Sequence, residues 1–301
     1  DLSVKDADLK SELLQAVDRV LTHGRIVLGP EVEEFESKIA EICGTKFAVG
    51  VNSGTDALYL ALRSLDIGPG DEVITTPLSW IATVNAITLC GATPVYVDIK
   101  DDLNINVDLI EEAITPRTKA ILPVHFTGKL CDVTKIAQIA KSHDLFLVED
   151  AAQAFGAHVN GAMAGSFGKV SCFSMNPMKV LNAYGEAGAL VTDDAQLYER
   201  LNMLRYGGTI DRDNCHYPSL NGRLDTIQAA MLLVNLQYYE AKIAQRREWA
   251  EFYSQALGEV VVCPQEEAGY HSVYYTYSIV AERRDQLKEY LESRGVETKI
   301  H

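Results

Sequence analysis

The sequence has little of what several large function classes require. Twenty-seven Lys and Arg stand against 42 Asp and Glu, a formal net charge of -15 at pH 7. No basic run occurs anywhere, and nucleic-acid binding rests on clustered Lys and Arg, so no nucleic-acid partner is expected. Cysteine is sparse: Cys43, Cys90, Cys131, Cys172, Cys215 and Cys263 form no CxxC pair. That pattern reads as reduced core thiols rather than a disulfide or zinc framework, and no metal site is expected. No GxGxxG follows a strand-like run, which removes the dinucleotide fingerprint of a nicotinamide-dependent reductase. Residues 73–97 carry no charge, but Pro77, Asn85, Gly91 and Pro94 interrupt them, so they read as buried strands and a helix rather than a membrane span. The opening DLSVKDADLK is charged where a signal peptide needs an apolar core, and a cytoplasmic location is expected. Internal repeats, Pro-rich linkers and low-complexity tracts are also missing.

What is present is alternation. From residue 46 to about 150, β-rich runs (KFAVGV, DEVITT, PVYVDI, KAILPV, LFLVED) alternate with helical patterns at DALYLALRSL, from Ser79, near 107 and from Asp132. This is the signature of an α/β fold with a mostly parallel sheet and helices on both faces. KVSCFS and AGALVT add two apolar strands, and a long helical pattern runs from about Leu224 to Leu257. Beyond it the pattern predicts strands at EVVVC and SVYYTYSIV, a helix at RDQLKEYLES and the start of a strand at VETKI. The expected organisation is a large α/β domain over 1–235 and a smaller α+β C-terminal domain over 236–301. The latter reads as incomplete, because the last strand pattern stops at His301.

Four segments follow predicted strands, where open α/β sheets collect ligands. Asn52-Ser53-Gly54-Thr55 opens a helix, and its free N–H groups and dipole suit a phosphate. Without a ligand it is an ordinary Ser N-cap. Trp80, after TTPLS, offers an indole face for a planar ring, or for core packing. Asp150 closes LFLVED and suits a protonated pyridine nitrogen, with Gln153 three residues on. Lys179 follows FSMNPM in a segment poor in charge, where desolvation lowers an amine's pKa and frees it for Schiff-base formation. Most lysines are nevertheless surface residues.

NSGTDAL, TPLSWIATVNAI, VEDAAQAFGA, FSMNPMKVLNAYGEAGALVT and NGRLDTIQAA occur in this order across the chain. Together they resemble the sugar aminotransferases of the DegT/DnrJ/EryC1/StrS family. The resemblance implies a fold type I enzyme with a seven-stranded sheet that uses pyridoxal 5′-phosphate (PLP). It implies that Lys179 forms the Schiff base, Asp150 pairs with the pyridine nitrogen, Gln153 meets the ring oxygen and Trp80 stacks on the ring. Gly54, Thr55 and Ser174 would hold the phosphate, joined by Asn221 from the second subunit of a homodimer. The implied reaction moves an amino group from L-glutamate to a keto sugar, nucleotide-linked, in amino-sugar biosynthesis. The alternatives are a PLP-dependent sugar dehydratase or epimerase, against whose dehydratase branch the lysine speaks, and a PLP-binding regulator without turnover. Arg25, Arg205 and Arg212 are candidates to receive a diphosphate. His125 reads as structural or substrate-shaping, with no partner acid identifiable, and Tyr184 and Glu186 as parts of the turn after the lysine.

Overall fold

The computed structural model describes residues 2–211 and 213–300. Two helices precede the first strand: α1 (Ala7–His23) and α2 (Pro30–Cys43). Asp6 caps α1 by accepting from the Asp8 and Leu9 amides, and α2 starts on Pro30, whose missing N–H costs nothing in a first turn. Then come β1 (Phe47–Val51), α3 (Gly54–Ser64), β2 (Glu72–Thr75), α4 (Ile81–Leu89), β3 (Thr93–Tyr96), β4 (Thr118–Ile121), α5 (Val133–Ser142) and β5 (Phe146–Asp150). The short strands β6 (His158–Val159) and β7 (Ala162–Met163) lead to β8 (Val170–Ser174), β9 (Gly188–Thr192), α6 (Ala195–Arg205), α7 (Thr226–Asn235), α8 (Tyr239–Leu257), β10 (Tyr270–His271) and α9 (Arg284–Ser293).

Seven strands form one sheet in the order β1-β9-β8-β5-β4-β2-β3. The β1–β9 and β9–β8 pairings are antiparallel and the other four parallel. Because β9 is antiparallel to both its neighbours, β1 runs with β8, β5, β4, β2 and β3, and the carboxyl ends of those six strands share one edge.

Successive strand residues point to opposite faces, and here both faces are apolar. Ala48, Ile74, Ile121, Leu147 and Phe173 pack against Phe35, Ile39, Ile136 and Leu232 from α2, α5 and α7. Val49, Val73, Ala120, Val148 and Val170 pack against Leu58, Leu62, Ile87 and Leu201 from α3, α4 and α6. A third cluster lays Leu13, Ala16 and Val20 of α1 on Ala230 and Val234 of α7. Among the described residues no helix is long and apolar enough to cross a membrane. All six cysteines are free and five are buried, while Cys215 is exposed.

Several expected elements differ. The helix near 107 is two 3₁₀ turns, Val107–Leu109 and Glu111–Ala113, confined between the Asn106 cap and the turn at Thr115-Pro116-Arg117. The single helix from Leu224 to Leu257 is two, α7 and α8. At the break Gln237 and Tyr238 donate to carbonyls three residues back, and the buried Asn235 turns its amide to the Asn182 carbonyl at 2.6 Å. The strand patterns after 257 yield only β10, paired with β6, and an isolated Val262–Val280 bridge, and VETKI forms no strand. Side chains replace the ladder there: Arg246 donates to the Tyr274 and Tyr275 carbonyls, and Arg247 to that of Ser272. The two helices before residue 46 and the β6–β7 hairpin extend beyond what the strand and helix patterns predicted.

Candidate active site

The shared strand edge gathers the segments that the sequence scatters. Past β1, Ser53 caps α3 by accepting from the Asp56 amide at 3.0 Å, and the first helical amides, Gly54 and Thr55, have no acceptor within the helix. Ser174, at the end of β8, lies directly against Gly54: a Cβ there would stand 2.6 Å from the Ser174 Cβ. Only glycine allows this approach, which creates a concave, N–H-lined corner with a hydroxyl beside it.

Asp150, at the end of β5, is buried. Its Oδ2 accepts from Thr83 Oγ1 at 2.7 Å and its Oδ1 from the Ala152 amide at 3.2 Å. Thr83 sits in the first turn of α4, and its hydroxyl is 2.7 Å from that of Ser79. Burial pushes the Asp150 pKa above the ordinary carboxylate value, while Thr83, Ala152 and the charge of Lys179 oppose the rise. Asp150 makes no ion pair among the described residues. Trp80, the N-cap of α4, is 73 % exposed, so core packing is excluded for it. Gln153 is buried in the turn after β5.

Lys179 follows a tight turn in which its amide donates to the Asn176 carbonyl at 2.8 Å. Its Nζ lies over the Tyr275 ring, 4.4 Å from the centroid. Burial draws its pKa below the ordinary lysine value, against the attraction of Asp150 and Glu186. Tyr275 arrives on a segment anchored at Gly128, whose carbonyl accepts from the Val273 amide at 2.9 Å and Ser272 Oγ at 3.2 Å. Gly128 has φ +91°, and a Cβ there would meet the Tyr275 amide nitrogen at 2.8 Å.

His125 has a partner acid after all. Its Nε2 is 3.1 Å from Glu149 Oε2, and both side chains are fully buried. The Cys131 amide donates to Nδ1 at 3.3 Å, so in the neutral ring the proton sits on Nε2, facing Glu149. Glu149 also accepts from the Gly165, Phe167 and Gly168 amides and from Ser171 Oγ. Burial would raise its pKa, but His125, Ser171 and Gly165 hold it below the usual carboxylate range. The pair is adjacent to the site without entering it, since Glu149 and Asp150 point to opposite faces of β5.

One of the arginine expectations changes. Arg205 is not available to a diphosphate: it is buried, ion-paired with Glu36, and donates to the Gly50 carbonyl at 3.0 Å. Arg25 is exposed and donates to its neighbour Leu28's carbonyl at 3.5 Å, while Arg212 lies outside the described residues. Asn221 is exposed beside Tyr206, to which it is bridged. Thr55 is exposed in the first turn of α3. Tyr184 exchanges hydrogen bonds with Gln228, and Glu186 accepts from Asn176 Nδ2 at 2.9 Å. Thr83, Ser79 and Tyr275 escaped sequence reading. The hydroxyls sit at a helical i, i+4 spacing inside TPLSWIATVNAI, the signal that was there to find, whereas Tyr275 was hidden in an aromatic run that reads as a strand.

The arrangement fits PLP on three observations: a glycine-gated corner with unpaired amides for a phosphate, a buried carboxylate without a counter-cation for a pyridinium, and a desolvated amine electrostatically linked to that carboxylate. The model of the DegT/DnrJ/EryC1/StrS aminotransferase family matches residues 7–301. The chain is 42 % identical over 304 residues to a dTDP-3-amino-3,4,6-trideoxy-alpha-D-glucose transaminase of Streptomyces venezuelae, covering 100 % of this chain and 80 % of that protein. It is 39 % identical over 307 residues to a pleiotropic regulatory protein of Geobacillus stearothermophilus, covering 100 % and 82 %. The crystal structure of S. venezuelae DesV with a ketimine intermediate superposes with a TM-score of 0.95 at 42 % identity, covering 99 % of this chain and 81 % of that one. Other solved neighbours carry the cofactor in its PLP and PMP forms. With motifs, fold and site in agreement, this chain belongs to the DegT/DnrJ/EryC1/StrS aminotransferase family, whose cofactor is PLP.

Proposed function

We propose that the protein transfers an amino group from L-glutamate to a nucleotide-linked keto sugar, working as a homodimer with shared sites. The observation that carries this reading is Lys179: an amine relieved of solvent, lying over Tyr275 and within the field of Asp150. Its relatives support the sugar class, since they include transaminases of dTDP- and UDP-linked sugars. When bound, PLP carries the amino group between substrates and takes up the electron pair left when a substrate C–H bond breaks. The chain's own residues do the rest. Lys179 would hold the cofactor through Nζ, and the same amine, when free, would accept and return the proton at the substrate carbon. Asp150 would keep the ring nitrogen protonated. The α3 amides, Thr55 and Ser174 hold the phosphate, Trp80 covers the ring face, and Gln153 meets the ring oxygen. Asn221 completes the phosphate site of the other subunit, a role that its exposure permits.

The regulator reading draws on the Geobacillus relative's name, but Lys179 and Asp150 are both in place here. The test is a panel of nucleotide-linked and free keto sugars incubated with L-glutamate and followed by mass spectrometry. An amino-sugar product from wild type and none from Lys179→Ala is expected. No aminated product from any acceptor, by a protein that binds PLP, would favour the regulator.

A further inference from the structure

Resting on the reading that Asp150 pairs with the ring nitrogen of PLP, we propose that Thr83 and Ser79 are positioning residues that aim the Asp150 carboxylate and keep it an acceptor. The geometry fixes a direction. An ionised carboxylate only accepts, so the single Thr83 hydroxyl proton goes to Asp150 Oδ2 at 2.7 Å. Thr83 Oγ1 must then accept from Ser79, also at 2.7 Å. Ser79 to Thr83 to Asp150 is therefore a two-hydroxyl relay ending on the charge, in which each bond polarises the next. Protonating Asp150 would reverse the relay and exchange a charge-assisted bond for a neutral one, roughly half as strong.

The relay also fixes orientation. With Oδ2 tied to Thr83 and Oδ1 to the Ala152 amide, the carboxylate plane cannot turn, and each oxygen keeps a lone pair for a ring N–H. Thr83 stands in the first turn of α4, whose positive dipole end supports the same charge. Trp80 is the cap of that turn. One helix start thus places both the indole offered to the ring face and the hydroxyl that sets the ring's edge contact.

The test is equilibrium dialysis of the apo protein against PLP from weakly acidic to weakly alkaline pH, with melting temperature measured alongside. Thr83→Val keeps the shape and loses the hydroxyl. Loss of a hydrogen bond to a charged group should weaken PLP binding roughly tenfold to a hundredfold at neutral pH. The carboxylate is ionised above its pKa and lost as pH falls through it. Removing a bond to the charged form raises that pKa, so the affinity of Thr83→Val should fail at higher pH than that of wild type. Thr83→Ser should restore both affinity and profile, and Ser79→Ala should lie between. If Thr83→Val does not fold, Thr83→Ser and Ser79→Ala carry the comparison. Wild-type affinity and pH profile in Ser79→Ala, and in Thr83→Val where it folds, overturn the proposal, as does a lowered melting temperature without a shifted profile. A wild type that takes up no PLP would instead sink the functional reading on which the relay rests.

Discussion

Glu149→Gln should cost the fold heavily, because this carboxylate, on the strand that ends in Asp150, is fully buried and takes five hydrogen bonds. Its Oε1 accepts from the Phe167 amide at 2.9 Å, the Gly168 amide at 2.7 Å and Ser171 Oγ at 2.8 Å. Its Oε2 accepts from the Gly165 amide at 3.0 Å and His125 Nε2 at 3.1 Å. Glutamine keeps the volume, so no cavity forms. With its carbonyl toward the first three donors, its NH₂ faces two more donors, Gly165 N–H and His125 Nε2–H. If the imidazole moves its proton to Nδ1, that N–H confronts the Cys131 amide instead, and Gly165 is still orphaned. Either way two buried donors lose their acceptor, at about 1–3 kcal/mol each, a loss of about 2–6 kcal/mol in all. Urea unfolding followed by circular dichroism measures it. Glu149 is held below its ordinary pKa, so its stabilisation is present above the unfolded carboxylate pKa and is lost as pH falls through the folded value. The gap between wild type and variant should therefore narrow in acid. A shift under about 1 kcal/mol at neutral pH, or a gap that widens in acid, would refute the reasoning.

Other outcomes follow from the same geometry. Gly54→Ala drives a methyl to within 2.6 Å of the Ser174 Cβ, pushing the helix start off the strand end; PLP affinity by dialysis should fall at least tenfold, roughly a lost charge-assisted contact, and the overpacking should lower the melting temperature as well. Glu186→Gln removes a negative charge that favours the Lys179 ammonium, so the Lys179 pKa should drop further. Competitive acetylation read by mass spectrometry would show it, and an unchanged or raised value would count against the electrostatic account. Lys179→Ala should stay folded, bind PLP only non-covalently and form no amino-sugar product, as tracked by absorbance and product mass.

Much of the sheet was legible because each strand carries its own signal. β1, β2, β4, β5, β8 and β9 are short apolar runs bounded by turn residues, and burial on both faces demands that pattern. Gly54, Asp150 and Lys179 were legible as candidates for the same local reason, each at or beyond the end of such a run, whereas Ser174 was named only through the family resemblance. Where partners were distant in sequence, reading failed. Nothing in LNMLRYGG distinguishes Arg205, sealed by Glu36 and Gly50, from a cation open to substrate. The aromatic run around Tyr275 has strand propensity, but its backbone bonds go to Gly128, Thr127 and Arg246, a tertiary override of propensity.

The sequence by itself determined the alternation of strands and helices, the family and which amine and acid are the candidates, since these depend on residue type and near-neighbour order. Only the tertiary structure decided what surrounds them. The pKa directions of Lys179 and Asp150 come from burial by segments far away in the chain, and the relay through Ser79 and Thr83 exists because α4 starts against the end of β5. Desolvation and hydrogen-bond direction are properties of a place in space, and the chain acquires that place only on folding.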